Sequence, residues 1–143
     1  MPRSLFLFVL GLLPVVAYGD GYICAADLAT GFSSKGGTWS AANFEPDRKF
    51  IVNRPGQGEQ SVASVPDAKW SVLVLGDKAP TNGCPEFDTL GNLICLGPFS
   101  EFRMSKDSLR FLYSYLSGYW DRPPLASEAG DTPYIAIGKC IAM

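Results

Sequence analysis

Four cysteines constrain this chain more than any other feature. Cys24, Cys84, Cys95 and Cys140 are spread over most of its 143 residues. An even cysteine count in a small chain is the signature of a disulfide framework when the chain reaches an oxidising compartment. A four-thiolate metal site would instead need close C-x(2–4)-C spacings, and successive cysteines here lie 60, 11 and 45 positions apart. Four cysteines allow three pairings. We expect Cys84–Cys95, closing a short loop, and Cys24–Cys140, joining the two ends of the fold. On a chain-entropy view these contribute about 3 and about 5 kcal/mol, the longer loop gaining more.

The oxidising compartment is itself expected from residues 1–19, MPRSLFLFVLGLLPVVAYG. One cation, Arg3, precedes an apolar run from Leu5 to Ala17, and Ala17-Tyr18-Gly19 fits the small-x-small rule for signal peptidase. A run of that length is too short to span a bilayer, which takes roughly 20 residues. The expectation is a signal peptide over 1–19 and one exported domain over 20–143, periplasmic or secreted, with no stable membrane insertion after cleavage.

Within 20–143 the pattern is that of an antiparallel β protein. Turn residues recur at fairly regular intervals, and the segments between them are rich in Val, Ile, Phe, Tyr and Trp. Strands are expected at Tyr22–Phe32, Thr38–Phe44, Lys49–Asn53, Lys69–Leu75, Asn92–Leu96, Glu101–Ser105 and Tyr134–Ile141. In Lys69–Leu75 (KWSVLVL), Trp70, Val72 and Val74 share one face. The stretch from Gly76 to Phe87, which contains Asn82-Gly83, is expected to be irregular. Ser108 to Trp120 reads two ways. Leu109, Leu112, Tyr113 and Leu116 fall at helical spacing, which would give a short helix near 106–117. Leu109, Phe111, Tyr113, Tyr115 and Tyr119 alternate and are mostly aromatic, which favours a strand. The strand is the preferred reading. Seven or eight strands would be unstable at their edges unless closed or stacked. An all-β fold follows: a small disulfide-stapled antiparallel barrel or two-sheet sandwich.

Composition limits the chemistry. The chain has no histidine, which removes Ser-His-Asp and Cys-His catalysis and His-containing metal sites. Twelve Lys and Arg against fourteen Asp and Glu give a net charge of −2, so the surplus of cations that nucleic acid binding needs is missing. The carboxylates fall mostly in expected turns, where Asp bonds to local backbone, and no pair is nominated for glycoside hydrolysis. Glu101, between Phe99 and Phe102, is best explained by a cross-strand ion pair with Arg103 or Arg110. Ser33-Ser34-Lys35 and Ser105-Lys106 fit no nucleophile motif, and Gly56-Gln57-Gly58 lacks the remainder of a phosphate loop. No catalytic residue, cofactor or metal ligand is therefore nominated.

Aromatic residues are the positive feature. Most of them should fill the core or pair across strands. Exposed Tyr and Trp, however, are typical binding anchors. The segment Gly118-Tyr119-Trp120-Asp121-Arg122-Pro123-Pro124 sets two large aromatics and an Arg beside a loop stiffened by prolines. Tyr119, Trp120 and Arg122, with Tyr115 and Trp39, form the candidate binding set. The function expected is a non-enzymatic exported binding module for an unknown protein or small ligand, one that recognises or inhibits another protein. Two alternatives stand beside it: a small-molecule carrier with a hollow barrel, and a carboxylate-dependent hydrolase.

Overall fold

The computed structural model describes residues 20–34, 37–56, 62, 64–121 and 132–143. The expected signal peptide, Arg122 and the Pro123-Pro124 pair lie outside the described residues. The chain forms nine strands: β1 (Gly21–Ser33), β2 (Ser40–Phe44), β3 (Lys49–Asn53), β4 (Trp70–Val74), β5 (Asn82–Cys84), β6 (Asn92–Leu96), β7 (Ser100–Ser105), β8 (Arg110–Tyr115) and β9 (Tyr134–Ala142). All neighbours pair antiparallel in the order β2-β1-β3-β4-β5-β6-β7-β8-β9, and β1 pairs with β9 as well. Eight strands therefore close into a barrel, with β2 as one extra strand.

The length of β1 explains both closure and the extra strand. Along one edge it pairs with β9 from Tyr22 to Gly31. Along the other, Gly21–Ala25 pair with β3, and Ala29–Ser33 pair with β2. The far half of β1 thus runs past the barrel rim and carries β2 with it. The β1–β9 register shifts between Ala26 and Leu28, leaving Asp27 as a bulge residue. Such a bulge bends and twists its strand, as barrel corners require. Gly138 is the partner of Ala26 at that corner. A Cβ at Gly138 would strike the Ala25 carbonyl and come within 2.7 Å of the Phe111 ring. Only glycine lets β9 approach so closely.

Alternation sends one side chain of each pair inward. Phe50, Val52, Val72, Leu93 and Phe102 are fully buried, and Trp70, Met104, Phe111 and Tyr113 nearly so. Phe50 sits at the centre, with its ring 5.5 Å from Phe102, 5.4 Å from Phe111 and 4.9 Å from Tyr113. Each such ring pair adds about 0.5–1.5 kcal/mol beyond burial of area. These rings occupy the space that a hollow carrier would need.

Both disulfides form as expected, Cys24–Cys140 and Cys84–Cys95. Each staples adjacent strands across a seam. Cys24 and Cys140 are direct partners in the closing β1–β9 ladder, with Cα atoms 3.9 Å apart. Cys84–Cys95 joins β5 to β6, whose ladder is a single pair, Gly83 with Leu96. The shortest seam receives the shorter covalent loop.

Of the two expected architectures the barrel is the one formed, and the strand count alone needs correction: there are nine strands rather than seven or eight. The extra one is β5, in the stretch expected to be irregular. Within Ser108–Trp120 the preferred strand reading holds, and the alternative helix near 106–117 does not form. A turn over 106–109 leads into β8, in which Phe111 and Tyr113 face inward while Leu112 and Leu116 are exposed. Leu109, the first member of the helical pattern, has a φ of 53° in the turn.

Candidate functional site

The two ends of the barrel differ. At the end where β1 starts and β3 finishes, Tyr22, Trp70 and Phe87 pack together, Trp70 and Phe87 edge to face with centroids 5.2 Å apart. Glu86 accepts a hydrogen bond from the Trp70 indole at 2.9 Å and is held by Arg54 at 3.1 Å. Arg54 in turn lies 4.6 Å over the Trp70 ring. The indole bond, and then Arg54, hold the Glu86 carboxyl below the usual carboxylate range. Nearby, Asp88 accepts from the backbone N–H groups of Asn92 and Leu90, which lowers its pKa also. This end is sealed by rings and a fixed ion pair.

The other end carries the candidate groove. It lies on the outward side of the sheet extension, where β8, β9, β1 and β2 lie side by side. Phe32 and Ala41 are cross-strand partners on that side. With Leu116, Pro133, Trp39, Tyr119 and Trp120 they line a cavity of about 530 Å³. The Trp39 and Tyr119 rings meet edge to face with centroids 5.3 Å apart. Tyr119 and Trp120 are 65% and 71% exposed.

The turn that presents them is built around Asp121. Its carboxylate accepts from the buried Ser117 hydroxyl at 2.8 Å and from the Gly118 N–H at 2.6 Å. Gly118 has a φ of 106°, a conformation glycine enters without steric cost. The Trp120 indole N–H donates to the Leu116 carbonyl at 3.0 Å, which fixes one edge of the ring and leaves its face open. The groove continues onto the outer strand surface, where Leu28, Ile135, Ile137 and Leu112 are exposed. Leu28 and Leu112 both pair with Ile137 across the strands. Contiguous exposed apolar surface of this kind marks interaction sites.

Three of the five candidate binding residues, Trp39, Tyr119 and Trp120, line one groove. Tyr115 lines an adjoining depression with Phe32, Leu116 and Pro133, but its ring turns inward toward Tyr134, 5.9 Å away. Arg122 lies outside the described residues. Phe32, Leu116 and Pro133 were not foreseen, because they come from strand ends far apart in the chain. Glu101 pairs with Arg103 along the same strand, not across strands.

The interior side of this rim holds a tyrosine cluster. Tyr134 lies 5.7 Å from Tyr113 and 6.2 Å from Phe44. Arg48 sits 5.4 Å over its ring. Its hydroxyl is enclosed and has no hydrogen-bond partner among the described residues. Burial, and then Tyr113 beside it, push the phenol well above its ordinary pKa.

Fold and groove together define a disulfide-stabilised small β-barrel with an exposed aromatic surface, a class compatible with a non-enzymatic binding module. The two disulfides are consistent with an extracellular or periplasmic protein. No protein-family model matches the chain, and neither a curated protein nor a solved structure matches it.

Proposed function

We propose that this protein is an exported, non-enzymatic binding module whose contact surface is the groove of Trp39, Tyr119 and Trp120. One observation carries the reading. Two large aromatics stand mostly in solvent, held there by the Asp121 turn, beside a cavity walled by Phe32, Leu116 and Pro133. Exposing such rings forgoes roughly 1.5–3 kcal/mol of burial each, and rigid exposed Trp and Tyr are the residues that dominate protein interfaces. The partner is a protein segment with apolar side chains, which the groove and the Leu28–Ile137–Leu112 strip receive together. The packed interior argues against a hollow carrier.

The test is a peptide library selected on the oxidised protein. Selected peptides should lose about 30-fold or more in affinity when Trp120 is replaced by Ala, the size expected of an interface anchor. The melting temperature of the Trp120→Ala variant should stay close to that of the wild type. Peptides indifferent to both Trp120→Ala and Tyr119→Ala would refute the assignment. Export is tested separately, by the mass of the protein expressed from its full sequence in a bacterial host. We expect a chain starting at Asp20 and lighter by four hydrogens, one pair per disulfide; an intact Met1 would exclude the signal peptide.

A further inference from the structure

We infer that the open end of the barrel is a second binding site, separate from the outer groove, for a small organic anion with an apolar body. Its cavity measures about 440 Å³, within the ~300–1,000 Å³ of small-molecule sites, which form readily in barrel mouths. The walls are of two kinds. Val62, Pro80, Pro98 and Phe99 supply apolar surface, while Arg48, Ser100 and Tyr115 bring polar atoms to the same space. Tyr113 forms part of the floor, continuous with the packed core.

The polar wall is built rather than incidental. Beneath it lies Asn82, fully buried in β5. Its amide donates to the Ser100 hydroxyl at 2.9 Å and to the Ser100 carbonyl at 3.0 Å, and its carbonyl accepts from the Thr81 hydroxyl at 2.9 Å. Ser100 and Thr81 both line the mouth. A buried amide with every group engaged fixes these two hydroxyls in place.

Arg48 gives the site its charge preference. Its guanidinium rests over the Tyr134 ring at 5.4 Å, and no described residue accepts a hydrogen bond from its N–H donors. Glu45 and Asp47 precede it in sequence and are exposed, yet neither forms an ion pair with it among the described residues. A guanidinium presents paired N–H donors that match a carboxylate fork. The ligand therefore places its carboxylate or similar anionic head at Arg48 and its apolar body between Phe99 and the two prolines. The inference does not rest on the outer groove, since the two cavities have no lining residue in common.

The test uses decanoate as probe and decanol as its neutral counterpart, titrated into the oxidised protein and followed by NMR. Decanoate should shift signals of Arg48, Tyr113 and Tyr115 and bind more tightly than decanol. Arg48→Gln should weaken decanoate about tenfold or more, by loss of a charged hydrogen bond, while Arg48→Lys, which keeps the charge and loses the paired donors, recovers only part of the affinity. Ala79→Phe, a substitution at an exposed position on the rim, should block binding with the melting temperature unchanged. Equal binding of decanoate to the wild type and Arg48→Gln would overturn the assignment. So would shifts confined to Trp39, Tyr119 and Trp120, or no binding at all.

Discussion

Trp70 and Trp120 stand at opposite ends of one barrel, in opposite surroundings. Trp70 is 5% exposed, ringed by Tyr22 and Phe87, with its indole N–H spent on Glu86 and its face covered by Arg54. Every part of that side chain has a partner within the fold. Trp120 also has its N–H engaged, by the Leu116 carbonyl, but its ring face meets solvent. The same residue type is therefore packed at one end and exposed at the other. The difference lies in the backbone that carries each: Trp70 begins a strand whose inward positions are already set by alternation, whereas Trp120 sits past the last residue of β8 on a turn that Asp121 holds rigid.

The largest effect that would sharpen this contrast is on stability. Trp70→Ala should cost about 3–5 kcal/mol, the usual range for deleting a packed aromatic core side chain, and chemical denaturation measures it directly. Trp120→Ala, the variant proposed above for binding, should cost less than about 1 kcal/mol in the same assay, as exposed positions generally do. Similar losses for the two would dissolve the distinction between the ends.

A smaller effect separates the ends by pH. At the sealed end the pKa values of Glu86 and Asp88 are lowered. Their contribution is complete above the ordinary carboxylate pKa and drains away as pH falls through and below it. At the open end the pKa of Tyr134 is raised. Its neutral form is favoured in the fold, so that contribution is complete below the ordinary phenol pKa and is lost as pH rises beyond it. Amide exchange should therefore show acid loosening residues around Trp70 first and alkali loosening those around Tyr113 first. Loosening of one and the same end in both directions would contradict the assignment.

Much of the barrel was legible because its strands obey period-two alternation. Lys49–Asn53 and Asn92–Leu96 were read with their observed boundaries, and the inward set Trp70, Val72 and Val74 needed only the pattern in KWSVLVL. The helical alternative near 106–117 failed for the same reason: Leu112 and Leu116 face outward while the aromatics between them turn in, and only tertiary closure decides between two patterns that share residues. β5 escaped notice because Asn82-Gly83 carries a turn signature. What makes it a strand is the buried Asn82 amide bonded to Ser100 and Thr81, and the Ser100 partner lies 18 residues away, beyond any local window. The candidate groove was half legible. Tyr119, Trp120 and Trp39 stood out as aromatics in or near loops. Phe32, Leu116 and Pro133 become neighbours only once β1, β8 and β9 lie side by side. Asp121 read as one more solvated turn carboxylate, although it is the residue that fixes the turn.

The β1–β9 seam also bears on the speed of folding. Cys24 and Cys140 are separated by 116 positions, so the ladder that closes the barrel is also its most non-local pairing. Loop-closure entropy must be met before those contacts return anything, and topologies of this kind fold slowly. Until β9 is made, β1 has no partner along that edge, and the sheet stays an open, reducible ribbon. A late closure of this kind keeps the two cysteines of the seam apart until the rest of the sheet is in place, and their oxidation then makes the closure covalent.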